Sequence, residues 1–290
     1  MNVRPKHCAQ AVVFFLLTIA LVTCVAGPGF CSRYRVITDM LGNRVQVPDP
    51  LERVALFGGP TGQIAYLLDA RDKVCAVSKA LKASDLLKLM DPDVEQLPAP
   101  RGTSGHIQLE TLIMADPQLV IAGDLDGSIV AKKTGLPVAF LGNDMGGGRE
   151  MLKKEIRFYA DVFDRRQRGE MYIAYLDRTI ALIRSRVADI PSSKRKVVFH
   201  GYGPTHLVTL GGDTFLRERL ETAGCINATD SVDTGGKKDG FHSGLDEVSM
   251  ERVLGWNPDI VVIDTGTPQS LYNDPRWRAV RAVRRRQVYV

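Results

Sequence analysis

Two stretches of this chain carry the same pattern. LETLIMADPQLVIA spans 109–122 and MERVLGWNPDIVVI spans 250–263, so the two copies lie 141 positions apart. Each reads as a short helix, a turn at Asp116-Pro117 or Asn257-Pro258, and a buried strand. Proline cannot donate to a continuing helix, and Asp or Asn before it suits the tight reversal. The apolar runs within the strands expected at 118–122 and 259–264 do not alternate polar with apolar, which marks strands buried on both faces of a parallel sheet. One such unit in each half predicts a chain built as two similar lobes.

The remaining pattern agrees. Apolar strands are expected at 53–59, 73–77, 118–122 and 136–141, with a helix over 61–68. After Pro191 the alternation restarts with strands at 196–200, 207–210 and 259–264. Between the halves, Leu152, Ile156, Tyr159 and Phe163 keep helical spacing, as do Tyr172, Leu176, Ile180, Ile183 and Val187. A helix from about 168 to Pro191 is long enough to join two lobes. The expected fold is α/β: two βαβ-type lobes with mostly parallel sheets, a long bridging helix, and a ligand cleft between the lobes. The expected division is a signal peptide at 1–26, an N-terminal lobe at 33–147, a helical connection at 148–190 and a C-terminal lobe at 191–290. A composition of 44% apolar and 24% charged residues excludes collagen-like, disordered and polytopic membrane classes.

Residues 1–10 carry Arg4 and Lys6 and no acid, and 11–27 carry no charge. That is a secretory signal, with cleavage expected after Ala26. An uncleaved anchor is one alternative. Lipidation at Cys24 is another, because Leu21, Val22 and Thr23 before it resemble a bacterial lipobox. All three readings export the chain to the periplasm or the outer face of the cytoplasmic membrane. Removing Arg4 and Lys6 takes the formal net charge from +5 to +3, too little to imply a nucleic-acid partner. Of five cysteines, Cys8 and Cys24 lie in the signal. Cys31, Cys75 and Cys225 suggest no disulfide, and Cys75 and Cys225 read as small core residues.

These features together resemble the class III periplasmic substrate-binding proteins of ABC transporters. The likeness runs from about Ile37 to the end. It rests on DMLGNRVQVP (39–48) as an opening hairpin, on the 109–121 unit, and on GGD (211–213) through AGCIN (223–227). It also rests on WRAVRAV (277–283) with Val288-Tyr289 as closing helix and strand. Cys225 and Arg286 stand where glycine is usual in the family. The resemblance implies capture of an iron chelate (siderophore or haem) or related metal complex and its delivery to a permease dimer, without catalysis or a cofactor. It implies that Glu110 and Glu251, one on each lobe, dock with arginines of the permease, and that membrane contact comes through the permease or a lipid on Cys24. Family members continue past the Val-Tyr strand, so the second lobe is expected to be truncated. The alternatives are a receptor for a free metal ion or an oxyanion such as molybdate, and an exported metal-dependent hydrolase.

Loops at the carboxyl ends of parallel strands line the crevice of such sheets. The expected ligand contacts are Gly59, Pro60, Arg101, Thr103 and Asn143 in the first lobe, and His200, Tyr202, Phe241, His242 and Thr265 in the second. Gly58-Gly59 reads equally as a close backbone approach to ligand and as a tight turn. Arg101 suits a carboxylate or oxyanion. Glycines flank Tyr202, freeing its ring to enter the cleft. His106, His200, His206 and His242 show no local ligand spacing, so direct metal binding stays open. The glycines at 146–148 lack the ending of a phosphate loop, and no G-x-S-x-G elbow occurs. Six arginines between Arg276 and Arg286 are expected to form a solvated helix face.

Overall fold

Asp39 closes a hairpin at the start of the described chain. In a computed structural model, which describes residues 33–58, 62–142, 148–204, 207–233 and 245–290, its carboxylate accepts from the backbone of Leu41 and Asn43 at 3.0 and 2.8 Å. This turn joins β1 (Arg33–Thr38) to antiparallel β2 (Arg44–Asp49). The other Asp39 oxygen accepts from the Phe140 amide at 3.1 Å, fastening the hairpin to the first lobe.

In that lobe β3 (Val54–Leu56), β4 (Val74–Val77), β5 (Leu119–Ala122) and β6 (Val138–Phe140) form a parallel sheet in the order β4-β3-β5-β6. Every residue of β5 is buried, as its unbroken apolar run requires. Helices α1 (Gln63–Leu67), α2 (Leu109–Met114) and α3 (Asp124–Thr134) cover the sheet. In the second lobe β7 (Val197–Gly201), β8 (Val208–Leu210), β9 (Ile226–Asn227), β10 (Leu245–Glu247), β11 (Ile260–Ile263) and β12 (Val288–Tyr289) divide into two sheets. One is parallel, in the order β12-β11-β7-β9; the other is the antiparallel pair β10-β8. The strand expected at 207–210 therefore stands outside the main sheet, because it returns directly from β7 through a short loop and cannot pair parallel to it.

The repeat holds at the level of single dihedral angles. Helix α2 starts at Leu109 and its counterpart Met250–Trp256 starts at Met250; β5 and β11 occupy matching positions. Asp116 and Asn257 both adopt the left-handed conformation, with φ of 46° and 43°. Asp and Asn tolerate that region better than other side chains. Even the entry into each strand is the same. The Gln118 amide donates to the Arg53 carbonyl, and the matching Asp259 amide donates to the Val197 carbonyl, each at 2.8 Å.

The lobes are joined by two antiparallel helices, α4 (Gly148–Val162) and α5 (Arg166–Val187). The sequence suggested one bridge; the structure has both helices spanning. The start of α4 meets the second lobe, where the Arg149 amide donates to Glu218 at 2.8 Å. Its end buries Phe158, Tyr159 and Val162 in the first-lobe core. Helix α5 runs back. Ile173 joins the first core, Arg168 donates to the Leu67 carbonyl, and Val187 packs over Gly224 of the second lobe. Its 22 residues extend about 33 Å. Gly169 permits the close crossing, since a Cβ there would stand 2.7 Å from that of Ala160. In the second lobe α7 (Met250–Trp256) packs on the core around Phe199, Trp256 and Trp277, and α6 (Phe215–Thr222) lies against β9. Cys75 and Cys225 are free thiols and only half-buried, so neither is the core residue expected. Cys75 packs against the first-lobe cluster from outside, and burial still pushes its thiol up to about 11. Among the described residues no helix is long and apolar enough to cross a membrane.

Candidate ligand-binding site

The first-lobe cluster lies beyond the carboxyl end of β4. Arg101 makes isolated bridges to Ser78 and Ile107, its carbonyl accepts from Lys79 at 2.8 Å, and Gly102 donates to the His106 carbonyl at 2.8 Å. The 101–106 loop is thereby tied to the sheet, with Thr103 exposed on it. Its turn passes through Gly105 at φ 81°, a conformation that favours glycine. Ser78, fully buried, caps the next helix by accepting from Leu81 at 3.1 Å.

The Arg101 side chain is not free. Its Nε donates to Asp126 Oδ2 at 2.6 Å, and Asp126 is itself only 9% exposed. Asp126 occupies the first turn of α3, which starts directly after β5. The two charged groups therefore come from the ends of β4 and β5, on either side of β3, and hold each other in a partly dry setting. A charge-assisted bond at this distance fixes the guanidinium plane, and Nη1 also donates to the Gly102 carbonyl at 3.5 Å, so Nη2 is the donor without a partner among the described residues.

The second-lobe cluster lies beyond β7 and β11. These strands run in parallel register, Ile263 opposite Gly201, and the pairing continues into the loops. The Asp264 amide donates to the Gly201 carbonyl at 3.1 Å and the Thr265 amide to the Tyr202 carbonyl at 3.0 Å. Thr265 Oγ1 donates to the same Tyr202 carbonyl at 2.7 Å. His200 Nε2 lies 3.0 Å from Asp264 Oδ1, and its Nδ1 is buried without a partner among the described residues. Tyr202 is 45% exposed, on a backbone held at both ends of its peptide unit. Gly203 has to be glycine, because a Cβ there would stand 2.8 Å from Thr265 Oγ1.

The structure thus assembles His200, Tyr202 and Thr265 at one strand-end cluster, and Arg101 and Thr103 at the other. Gly59, Pro60, Asn143, Phe241 and His242 lie outside the described residues, as do His206 and the signal segment. Sequence reasoning missed Asp126, and it placed Asp264 at the end of an expected strand. An Asp in a first helical turn reads as a response to the helix dipole, so nothing local marked it as the partner of Arg101. His106 is exposed on the 101–106 loop. Among the described residues no three metal-ligating side chains converge. Glu110 and Glu251 are exposed at the starts of α2 and α7, at equivalent places in the repeat. Hydrogen bonds from its own amide and from Ser249 hold the Glu251 carboxyl below the usual carboxylate range.

This geometry can be set beside known proteins. A family model described as periplasmic binding protein matches residues 54–290. The molybdate-binding protein MolA of Haemophilus influenzae is 24% identical over 282 residues, covering 88% of this chain and 77% of that protein. Its molybdate-bound structure superposes with a TM-score of 0.75 at 23% identity, over 88% of this chain and 82% of that one. An ABC-type Fe3+-hydroxamate transport protein of Saccharomonospora viridis gives 0.65 at 23% identity, over 88% and 90% of the two chains. Helicobacter pylori CeuE with Ni(II) bound gives 0.71 at 20%, over 88% and 81%. The family model covers the sheets of both lobes and the helices between them. The chain belongs to the periplasmic binding protein family, in the class III form that serves ABC transporters from outside the cytoplasm.

Proposed function

We propose that the chain is the extracytoplasmic capture component of an ABC importer and that its ligand is a small metal oxyanion of the molybdate type. The observation that carries this reading is the Arg101–Asp126 pair. A guanidinium already locked by a neighbouring carboxylate loses little freedom on binding, and its donors suit a compact anion. Across the cleft, Tyr202 supplies a hydroxyl group from a loop that Thr265 holds in place through its own hydroxyl and amide. The resemblance to a molybdate-binding relative points the same way. Binding draws the two lobes onto the anion. The two crossing helices restrict that movement, since each is packed into both lobes.

A ferric chelate is the second reading. It is favoured by the exposed Tyr202 ring between two glycines, which offers a stacking or ligating surface broader than an oxyanion needs. Equilibrium dialysis of molybdate against the mature chain and Arg101→Gln separates the readings. Saturable binding that weakens at least tenfold in the variant supports the first. Equal binding by both proteins removes Arg101 from the site.

Delivery needs a docking surface. Glu110 and Glu251, related by the internal repeat, present two carboxylates to a twofold permease. Reversing both to lysine is expected to abolish uptake in cells while ligand affinity stays unchanged. A loss of affinity would place them at the ligand instead.

A further inference from the structure

The expected solvated arginine helix is not what the second lobe displays. The helix around Arg281 spans only Arg281–Arg284, and the arginines sort into two groups. Arg276 is held by Asp274, with Nη2 to Oδ2 at 2.6 Å, and Arg281 by Asp259 at 2.9 Å. Arg278, Arg284, Arg285 and Arg286 are exposed and form no ion pair with a described acid. Residues 274–290 hold six arginines and one acid, a net of +5. The whole chain is also +5, so the remaining 273 residues are formally neutral. The net positive charge of the sequence thus equals that of this one segment.

The backbone gives an independent sign that the patch is used. Five described non-glycine residues have positive φ: Asp69, Asp116, Asp164, Asn257 and Arg286. Four are Asp or Asn, the types that enter this region with least strain. Arg286, at φ 55°, is the exception. A glycine would sit there without cost. What the arginine adds is a cation, and its guanidinium is propped over the Tyr272 ring at 5.2 Å. Strain retained at a surface residue points to a role for its side chain. The patch is also tied to α7, because the Arg281 amide donates to Asn257 Oδ1 at 2.9 Å. Asn257 follows the helix that begins beside Glu251, and its seven residues span about 10 Å.

We propose that Arg278, Arg284, Arg285 and Arg286 form a docking patch for an anionic phospholipid surface. An importer's capture protein works against a membrane-embedded partner. A basic patch on the same lobe would concentrate the chain at that membrane and shorten its search for the permease. Surface attraction of this kind adds roughly per charge, about fivefold in binding for each arginine near the lipid. It also falls as salt shortens the Debye length from ~10 Å at 0.1 M to ~3 Å at 1 M.

The test is co-sedimentation of the mature chain with vesicles of phosphatidylcholine alone and of phosphatidylcholine containing phosphatidylglycerol. Binding is expected only to the anionic vesicles and should be lost at high salt. Arg286→Gly relieves the backbone, so it keeps the fold, and should weaken binding about fivefold. Combining it with Arg284→Gln and Arg285→Gln should weaken binding about a hundredfold, with molybdate affinity unchanged. Equal sedimentation of wild type and triple variant overturns the proposal. So does absence of anionic-vesicle binding, and so does a chain that binds heparin or DNA but not vesicles. Because no permease or ligand is present in the assay, failure here leaves the proposed function standing.

Discussion

Glu155 offers the sharpest test of how the helices between the lobes are packed. It is 9% exposed on α4, and burial alone raises its carboxyl from 4.5 to about 7. The folded protein therefore holds a proton that the unfolded chain releases. Below pH 4.5 both states are protonated and the group is neutral in its effect on stability. As pH rises from 4.5 towards 7, only the unfolded state ionises, and stability falls. Above 7 both are ionised and the loss is complete. A difference between 4.5 and about 7 corresponds to about 3 kcal/mol, and residual solvent contact makes about 2 kcal/mol the working figure. Glu155→Gln keeps the shape and removes the titration. At pH 8 the variant should be more stable than wild type by about 2 kcal/mol, a rise of roughly 4–8 °C in Tm. At pH 4 the two should match. The assay is urea unfolding followed by circular dichroism at both pH values. If Glu155→Gln is equal to wild type at pH 8, the side chain reaches water and α4 is not packed as described.

Three further outcomes bear on the site. Asp126→Asn should cost about 1–2 kcal/mol in urea unfolding, less than a fully buried pair because Arg101 is a quarter exposed, and should weaken ligand binding. A stability loss with affinity unchanged would mean that Arg101 does not face the ligand. Asn257→Val, which puts a β-branched residue at a left-handed position, should lower stability by about 1–2 kcal/mol, and Asn257→Gly, which loses only the bond from the Arg281 amide, should lower it by less. Glu218→Gln removes the carboxylate reached by Arg149 and Arg184. Small-angle scattering of the ligand-free variant should then show a wider spread of lobe positions than wild type.

Most of the architecture was legible because it is written in short-range pattern. Matching apolar runs located β5 and β11, and Asp116-Pro117 and Asn257-Pro258 located their turns to the residue. The second crossing helix was less visible. Leu152, Ile156, Tyr159 and Phe163 show which face of α4 is buried, but periodicity does not say how far its polar start reaches. That reach depends on Glu218, 69 residues from Arg149. The site followed the same division. Strand-end loops named Arg101, His200, Tyr202 and Thr265, whereas Asp126 and Asp264 act through partners 25 and 64 residues away. Such pairings depend on sheet order, which sequence pattern does not display. The arginine cluster was visible at once; its significance needed the ion pairs and the dihedral angle of Arg286.

The central claim concerns what the cleft holds. Isothermal titration of the mature chain with molybdate and, separately, with a ferric hydroxamate decides it. Saturable, one-to-one binding of molybdate, diminished in Arg101→Gln, is the expected result. Tight binding of the ferric hydroxamate with no heat from molybdate would contradict it.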